Sequence, residues 1–211
     1  LLIIANEITR LLPFRQYDEN DVINFYSYDL ETGEAGSVVR VSDANLSNEP
    51  VKYVERTDAN SYDNTLGNAL SLYPETPYKV TKVSDTGAGV RPLGILLRDV
   101  RSKDENGENL LYYPQKKAEL QCVVSGEVVP VATKGLFTIN SKGLGGGLAP
   151  AINSFAVPTD NGTISGIAGT AANHHKHHAH SIGKFIATGL RESGPTTDAF
   201  AGAYAILKLD C

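Results

Sequence analysis

Hydrophobic and polar residues alternate with a period of two over much of the chain, the pattern of strands that bury one face. The clearest stretch is Ala118–Ile139, AELQCVVSGEVVPVATKGLFTI. Leu120, Cys122 and Val124 fall on one side of it, and Glu119, Gln121 and Val123 on the other. Ser125-Gly126 interrupts the run before Val128, Val129 and Val131 resume it. Pro130 removes a ladder donor, so the segment is expected to kink and to lie near a sheet edge. Lys134-Gly135 reads as a turn, and Leu136–Ile139 opens the next strand.

The same pattern predicts strands at Val22–Leu30, Ser37–Ser42, Val51–Val54, Tyr78–Val83, Val90–Val100, Phe155–Val157, Thr163–Ile167, Ile182–Leu190 and Ala201–Leu209. Turn chemistry separates them at Glu31-Thr32-Gly33, Asp85-Thr86-Gly87 and Lys103–Asn109, with a hairpin signal at Asp160-Asn161-Gly162. Roughly nine to eleven strands with almost no helix predict an all-β protein. Its expected form is a compact antiparallel β-barrel or sandwich with an N-terminal arm and long loop insertions. Leu120, Cys122, Val124, Ile186, Tyr204 and Ile206 are expected in or beside one barrel interior.

Residues 1–20 read as the arm. Asn6 caps a short helical turn over Glu7–Leu12, which Pro13 stops. The apolar residues Leu1, Leu2, Ile3, Ile4, Leu11, Leu12 and Phe14 have too few local partners and must be buried on the rest of the domain or on another protein. Residues 21–76 form an N-terminal β-hairpin and loop region, in which the polar stretch 43–70 reads as a long loop or insertion. Residues 77–211 form the barrel domain, with a Gly-rich loop at 141–150 and a His-rich loop at 173–180.

The chain has 211 residues, 41% of them hydrophobic, enough for a sizeable core. Its formal net charge of −5 and the lack of a basic stripe argue against a nucleic-acid partner. The apolar opening is short and broken by Glu7 and Arg10, so neither a signal peptide nor a membrane span is expected, and no membrane partner. Cys122 and Cys211 are too few for a disulfide framework, which suits a reducing compartment. Cys122 reads as a small buried hydrophobe; pairing the two would demand close Cα atoms.

The strongest chemical signal is Asn173–His180, NHHKHHAH, which holds every histidine of the protein. His174, His175, His177, His178 and His180 are candidate ligands for a divalent metal, because neutral imidazole suits zinc, copper or nickel. No Asp, Glu or Cys flanks them as a further ligand or general base, and an exposed loop titrating near neutral pH is the plainer reading. No other cofactor is expected. GLGGG at 143–147 lacks the Lys and Ser/Thr of a phosphate loop and reads as a flexible connector. The paired carboxylates Asp18/Glu19, Asp104/Glu105 and Glu31/Glu34 lie in polar loops, so no enzyme is expected.

From about Pro77 onwards the order of features resembles the tailed-bacteriophage capsid decoration, or cement, proteins. The resemblance is carried by Pro77–Val80 (PYKV), Pro92–Leu97 (PLGILL), Cys122–Val131 (CVVSGEVVPV), Asn161–Ile167 (NGTISGI), Ile182–Thr188 (IGKFIAT) and Tyr204–Leu209 (YAILKL). It covers roughly the C-terminal two thirds and consists of order and texture rather than an active-site motif. It implies a β-barrel module on the outer surface of a phage head. Such modules commonly form homotrimers that clamp neighbouring major capsid protein subunits. The first 70 residues, the insertion from Ser141 to Phe155 and the histidine loop depart from the smaller members. The alternatives are a virion receptor-binding or adhesion module displaying the histidine loop, and a small metal-dependent enzyme using it.

Overall fold

The computed structural model describes residues 10–28, 32–42, 79–83, 91–124, 127–147, 149–167, 180–191 and 201–211. Their strands are β1 (Leu11–Gln16), β2 (Val22–Tyr28), β3 (Val38–Val41), β4 (Lys79–Lys82), β5 (Gly94–Leu96), β6 (Val128–Ala132), β7 (Lys134–Asn140), β8 (Phe155–Thr159), β9 (Thr163–Ile167), β10 (Gly183–Arg191) and β11 (Gly202–Asp210). A one-and-a-half-turn helix, α1 (Pro114–Glu119), interrupts them. The protein is all-β. Strands β2-β4-β3-β5-β6 close into a barrel, and β1-β7-β11-β10-β8-β9 form an open sheet. Every pairing is antiparallel except β2 with β4, where Ser27 lies opposite Lys79 and Tyr28 opposite Val80.

Successive strand residues face opposite ways, and this joins the two layers. Val39, Val80, Leu96, Val129 and Val131 pack together with Tyr28, filling the barrel. Their neighbours Val38, Ile95 and Ala132 instead pack against Leu11, Phe137, Ile139, Phe185, Ala205, Leu207 and Leu209 of the sheet. Barrel and sheet therefore share one core, and each fully buried Leu, Ile, Val or Phe contributes about 1.5–3 kcal/mol. The chain crosses between layers at Thr133, the single residue separating β6 from β7. Its N–H and its Oγ1 both donate to the Asp21 carbonyl at 2.9 Å, and its own carbonyl accepts from Cys211 N at 3.0 Å.

Several local expectations are corrected. Ala118–Val124 is not a strand. Pro114 at the first turn and the helix-favouring Gln-Lys-Lys-Ala-Glu make α1, and the chain then turns at Gln121, whose φ is 51°. Cys122 and Val124 are buried in a separate small cluster with Leu110, outside the barrel interior. Pro130 does not mark an edge: β6 lies between β5 and β2. It is tolerated because the β2–β6 register shifts between Ile23 and Tyr26, opposite it. Lys134 and Gly135 belong to β7 rather than to a turn.

On β11 the buried side is Ala203, Ala205, Leu207 and Leu209; Tyr204 and Ile206 are half-buried on the opposite face. Alanine fits where the sheet lies close to the barrel, whereas Tyr204 lies over Gly189 on the neighbouring strand, so near that a Cβ there would meet its ring. Ile186 sits at a register shift in β10 and is exposed. Residues 11 and 12 open a strand, not a helical turn, and Pro13 is accommodated because β1 is the sheet's edge. The hairpin signal holds: Asn161 and Gly162, at φ 59° and 68°, turn β8 into β9.

Candidate functional site

Of the candidate metal ligands, His174, His175, His177 and His178 lie outside the described residues. His180 is described; it is half-buried and directly precedes the Ser181 turn into β10. Ser181 Oγ donates to Gly183 O at 2.8 Å, and Ile182 N donates to Ala156 O at 2.9 Å, fixing the point where the loop joins the sheet. Among the described residues no group of three or more His, Cys, Asp or Glu side chains is placed to hold a metal ion. No described helix is long and apolar enough to cross a membrane.

The glycine segment is pinned. Leu144 is buried in the shared core, and Gly143 O accepts from Ile164 N at 2.8 Å, so this stretch caps β9 rather than swinging as a flexible connector. Both cysteines are free thiols. Burial pushes the Cys122 thiol up, consistent with its place in an apolar cluster. Cys211 is exposed as a residue, yet its Sγ lies 3.9 Å from Ile182 O, and desolvation followed by the Asp210 charge pushes the thiol up to about 12. Neither is poised as a thiolate nucleophile.

The long excursion between β5 and β6 is built on ion pairs. Asp104 accepts from Asn106 N at 2.9 Å and Glu108 N at 2.7 Å, which folds the KDENGEN tip. Its other oxygen takes the Lys116 ammonium from α1. That hydrogen bond first, with the backbone donors adding to it, holds the Asp104 carboxyl below its usual range, although desolvation opposes the shift. Lys117 meets both oxygens of Glu127, at 2.8 and 2.9 Å, and Glu127 also accepts from Val124 N. The lysine pairs thus tie α1 to the KDENGEN tip and to the end of the excursion at Glu127, with Tyr112 and Tyr113 exposed beside it.

Beside this excursion lies a cleft of about 850 Å³. The end of β1 and the turn before β2 supply Arg15, Tyr17, Glu19 and Asn20; the bend after β5 supplies Leu97, Arg98 and Asp99; and Gln121 adds to the lining from beyond α1. Val22, Val123, Val128 and Pro130 make its apolar part. Arg15 is oriented by donating from Nε to Leu12 O (3.2 Å) and from Nη1 to Leu97 O (3.4 Å). Tyr17 stacks on Phe137, with ring centroids 5.6 Å apart. Asp99 is already satisfied, by Ala35 N at 2.7 Å and Arg101 at 3.3 Å. Spacing alone does not reveal this site, because five separated stretches converge on it. The one local signal is a glutamine at the left-handed position after α1, where glycine is usual.

Scans of protein-family models, of curated proteins and of solved structures return no match to this chain.

Proposed function

We propose that the chain is a capsid decoration protein, a virion structural component on the outside of a phage head that clamps neighbouring major capsid protein subunits as a homotrimer. The observation that supports this reading best is the run Leu11–Tyr28, which crosses from the sheet to the barrel while exposing large aromatics. Phe14 is 61%, Phe25 50% and Tyr17 41% exposed. The layers on either side of that run are locked together by their shared core, so the aromatics stand on a rigid mount. Exposed aromatics on a rigid scaffold suit a protein interface, where such side chains supply most of the binding energy.

In this reading the protein has no catalytic step. It stabilises the shell by binding it better than it binds any alternative state, and trimers add their contacts through multivalency. The test is to add the purified full chain, and a variant carrying Phe14→Ser and Phe25→Ser, to undecorated heads and image them. The expected result is many regularly spaced copies on the head with the native chain and sparse occupancy with the variant. Copies confined to tail sites would favour the adhesion reading instead, and native-like decoration by the variant would remove the aromatics from the interface.

A further inference from the structure

We propose that Asn106-Gly107, at the tip of the excursion, is a site of spontaneous deamidation through a cyclic imide, and that the reaction undoes the Asp104 cradle beneath it. Asn followed by Gly occurs twice in the chain, at 106–107 and at 161–162. The chemistry open to both pairs is the same. The glycine N–H gives its proton to hydroxide, and the nitrogen attacks Cγ of the asparagine. The Cγ–Nδ2 bond breaks, and that nitrogen takes a proton from water and leaves as ammonia. Water then opens the five-membered imide at either carbonyl, giving aspartate or isoaspartate. Water in and ammonia out is the whole balance, with nothing oxidised or reduced. Glycine permits the closure because it has no Cβ to crowd the ring and the widest choice of backbone angles.

The fold separates the two pairs. Gly162 is buried, its N–H donates to Val83 O at 2.8 Å, and a Cβ on it would lie 2.9 Å from Val38 O. The Asn161 carbonyl is held as well, accepting from Arg10 Nη1 at 2.8 Å. The attacking nitrogen is therefore committed to another strand, and freeing it takes a local opening of the packed region around it. Asn106 and Gly107 are both exposed. Gly107 N donates to Asp104 O at 3.1 Å inside the same turn. Apart from its chain neighbours, no atom lies within 4 Å of the place a Gly107 Cβ would take, so this backbone has room to rotate. The Asn106 carboxamide has no hydrogen-bond partner among the described residues, which leaves Nδ2 free to depart.

The cradle is sensitive to the product. Asn106 N and Glu108 N converge on one oxygen, Asp104 Oδ1, at 2.9 and 2.7 Å. Isoaspartate carries the main chain through Cβ and adds a carbon between those two donors, so they no longer fit a single acceptor. Either product also adds a carboxylate next to Glu105 and Glu108, close to the Asp104–Lys116 pair.

Neither step depends on the capsid reading. The full chain is aged at mildly alkaline pH and sampled by tryptic digestion and mass spectrometry, with fragment ions assigning each residue. The excised peptides Asp104–Lys116 and Gly143–Lys176, aged alongside, give the rate of each pair without the fold. Asn106 in the full chain is expected to react within about tenfold of its free peptide and faster as pH rises, whereas Asn161 is slowed well beyond that. The aged fraction, separated by charge, is expected to exchange the Glu108 amide hydrogen faster than the fresh chain. Asn106→Gln, at an exposed position, is expected to show neither change. Equal slowing of both pairs by the fold overturns the assignment of the site, as does deamidation of Asp104–Lys116 that persists in Asn106→Gln. Unchanged Glu108 exchange in the aged fraction overturns the undoing of the cradle.

Discussion

Replacing Leu11 with alanine tests whether the N-terminal segment is a free arm or part of the fold. Leu11 is 1% exposed, lies opposite Ile139 across the β1–β7 ladder, and belongs to the core shared by sheet and barrel. Removing its branched end deletes about three buried carbons, a transfer loss of about 2.4 kcal/mol at ~0.8 per carbon. A cavity term adds to this, because the neighbours relax only partly. Relaxation is limited here: Gly36 already lies so close that a Cβ on it would come within 3.0 Å of Leu11 Cγ. An edge strand can shift more than a central one, so the expected total is about 3 kcal/mol.

Urea unfolding followed by far-ultraviolet circular dichroism measures this loss, with Phe14→Ala as the control. The control should change stability by less than about 0.5 kcal/mol, because Phe14 is largely exposed. The single transition expected from a shared core should keep its denaturant slope in both variants. If Leu11→Ala is as stable as the native chain, or if Phe14→Ala is the more damaging of the two, β1 is not anchored as described. A truncation designed to probe a partner-binding arm must accordingly stop before Arg10, whose carbonyl accepts from Asn140 N.

Two further predictions concern the barrel and the excursion. At Gly94 an added Cβ would lie 2.9 Å from Val131 Cγ1 and 3.0 Å from the Ala132 carbonyl carbon, so Gly94→Ala must push β5 off β6 and should cost about 1–3 kcal/mol, read as a lower thermal midpoint; an unchanged midpoint would mean the barrel is not closed there. Because the Asp104 carboxyl is held below its ordinary 3.8, its stabilisation is complete above that value and is lost as pH falls through the lower folded value. Lys116, raised above its ordinary 10.5, contributes below that value and loses its contribution only as pH rises beyond it. Thermal midpoints should therefore hold between about pH 4 and pH 10 and fall in acid, with Asp104→Asn less stable at neutral pH and showing a shallower acid fall; an acid limb identical to the native one would exclude Asp104 as its source.

The fold class was legible because the strands are runs of β-branched and aromatic residues bounded by turn signals, as in β2 and β3. Alternation misled where it was short or equivocal. Leu120, Cys122 and Val124 alternate, but the five preceding residues with good helix propensity and a proline start decided the conformation. In β11 every odd position from Ala203 to Leu209 is apolar, yet so are the even positions Tyr204 and Ile206. The choice of face was made by the closeness of the barrel, which favours alanine and excludes tyrosine. Propensity could not tell that β6 is flanked on both sides, because the register shift that excuses Pro130 lies in β2, more than a hundred residues earlier.

The site was less legible than the fold for a related reason. A metal or catalytic motif announces itself by local spacing, as the histidine loop does, whereas the cleft is assembled from side chains on both layers and on the excursion. No stretch of sequence holds both Arg15 and Arg98, and each alone looks like an ordinary surface charge. What brings them together is the crossing from sheet to barrel: β1 must end near Leu97 for Leu11 to reach the core, and that carries Arg15 to the carbonyl beside Arg98. The same core packing that fixes the fold thus brings both arginines to one cleft.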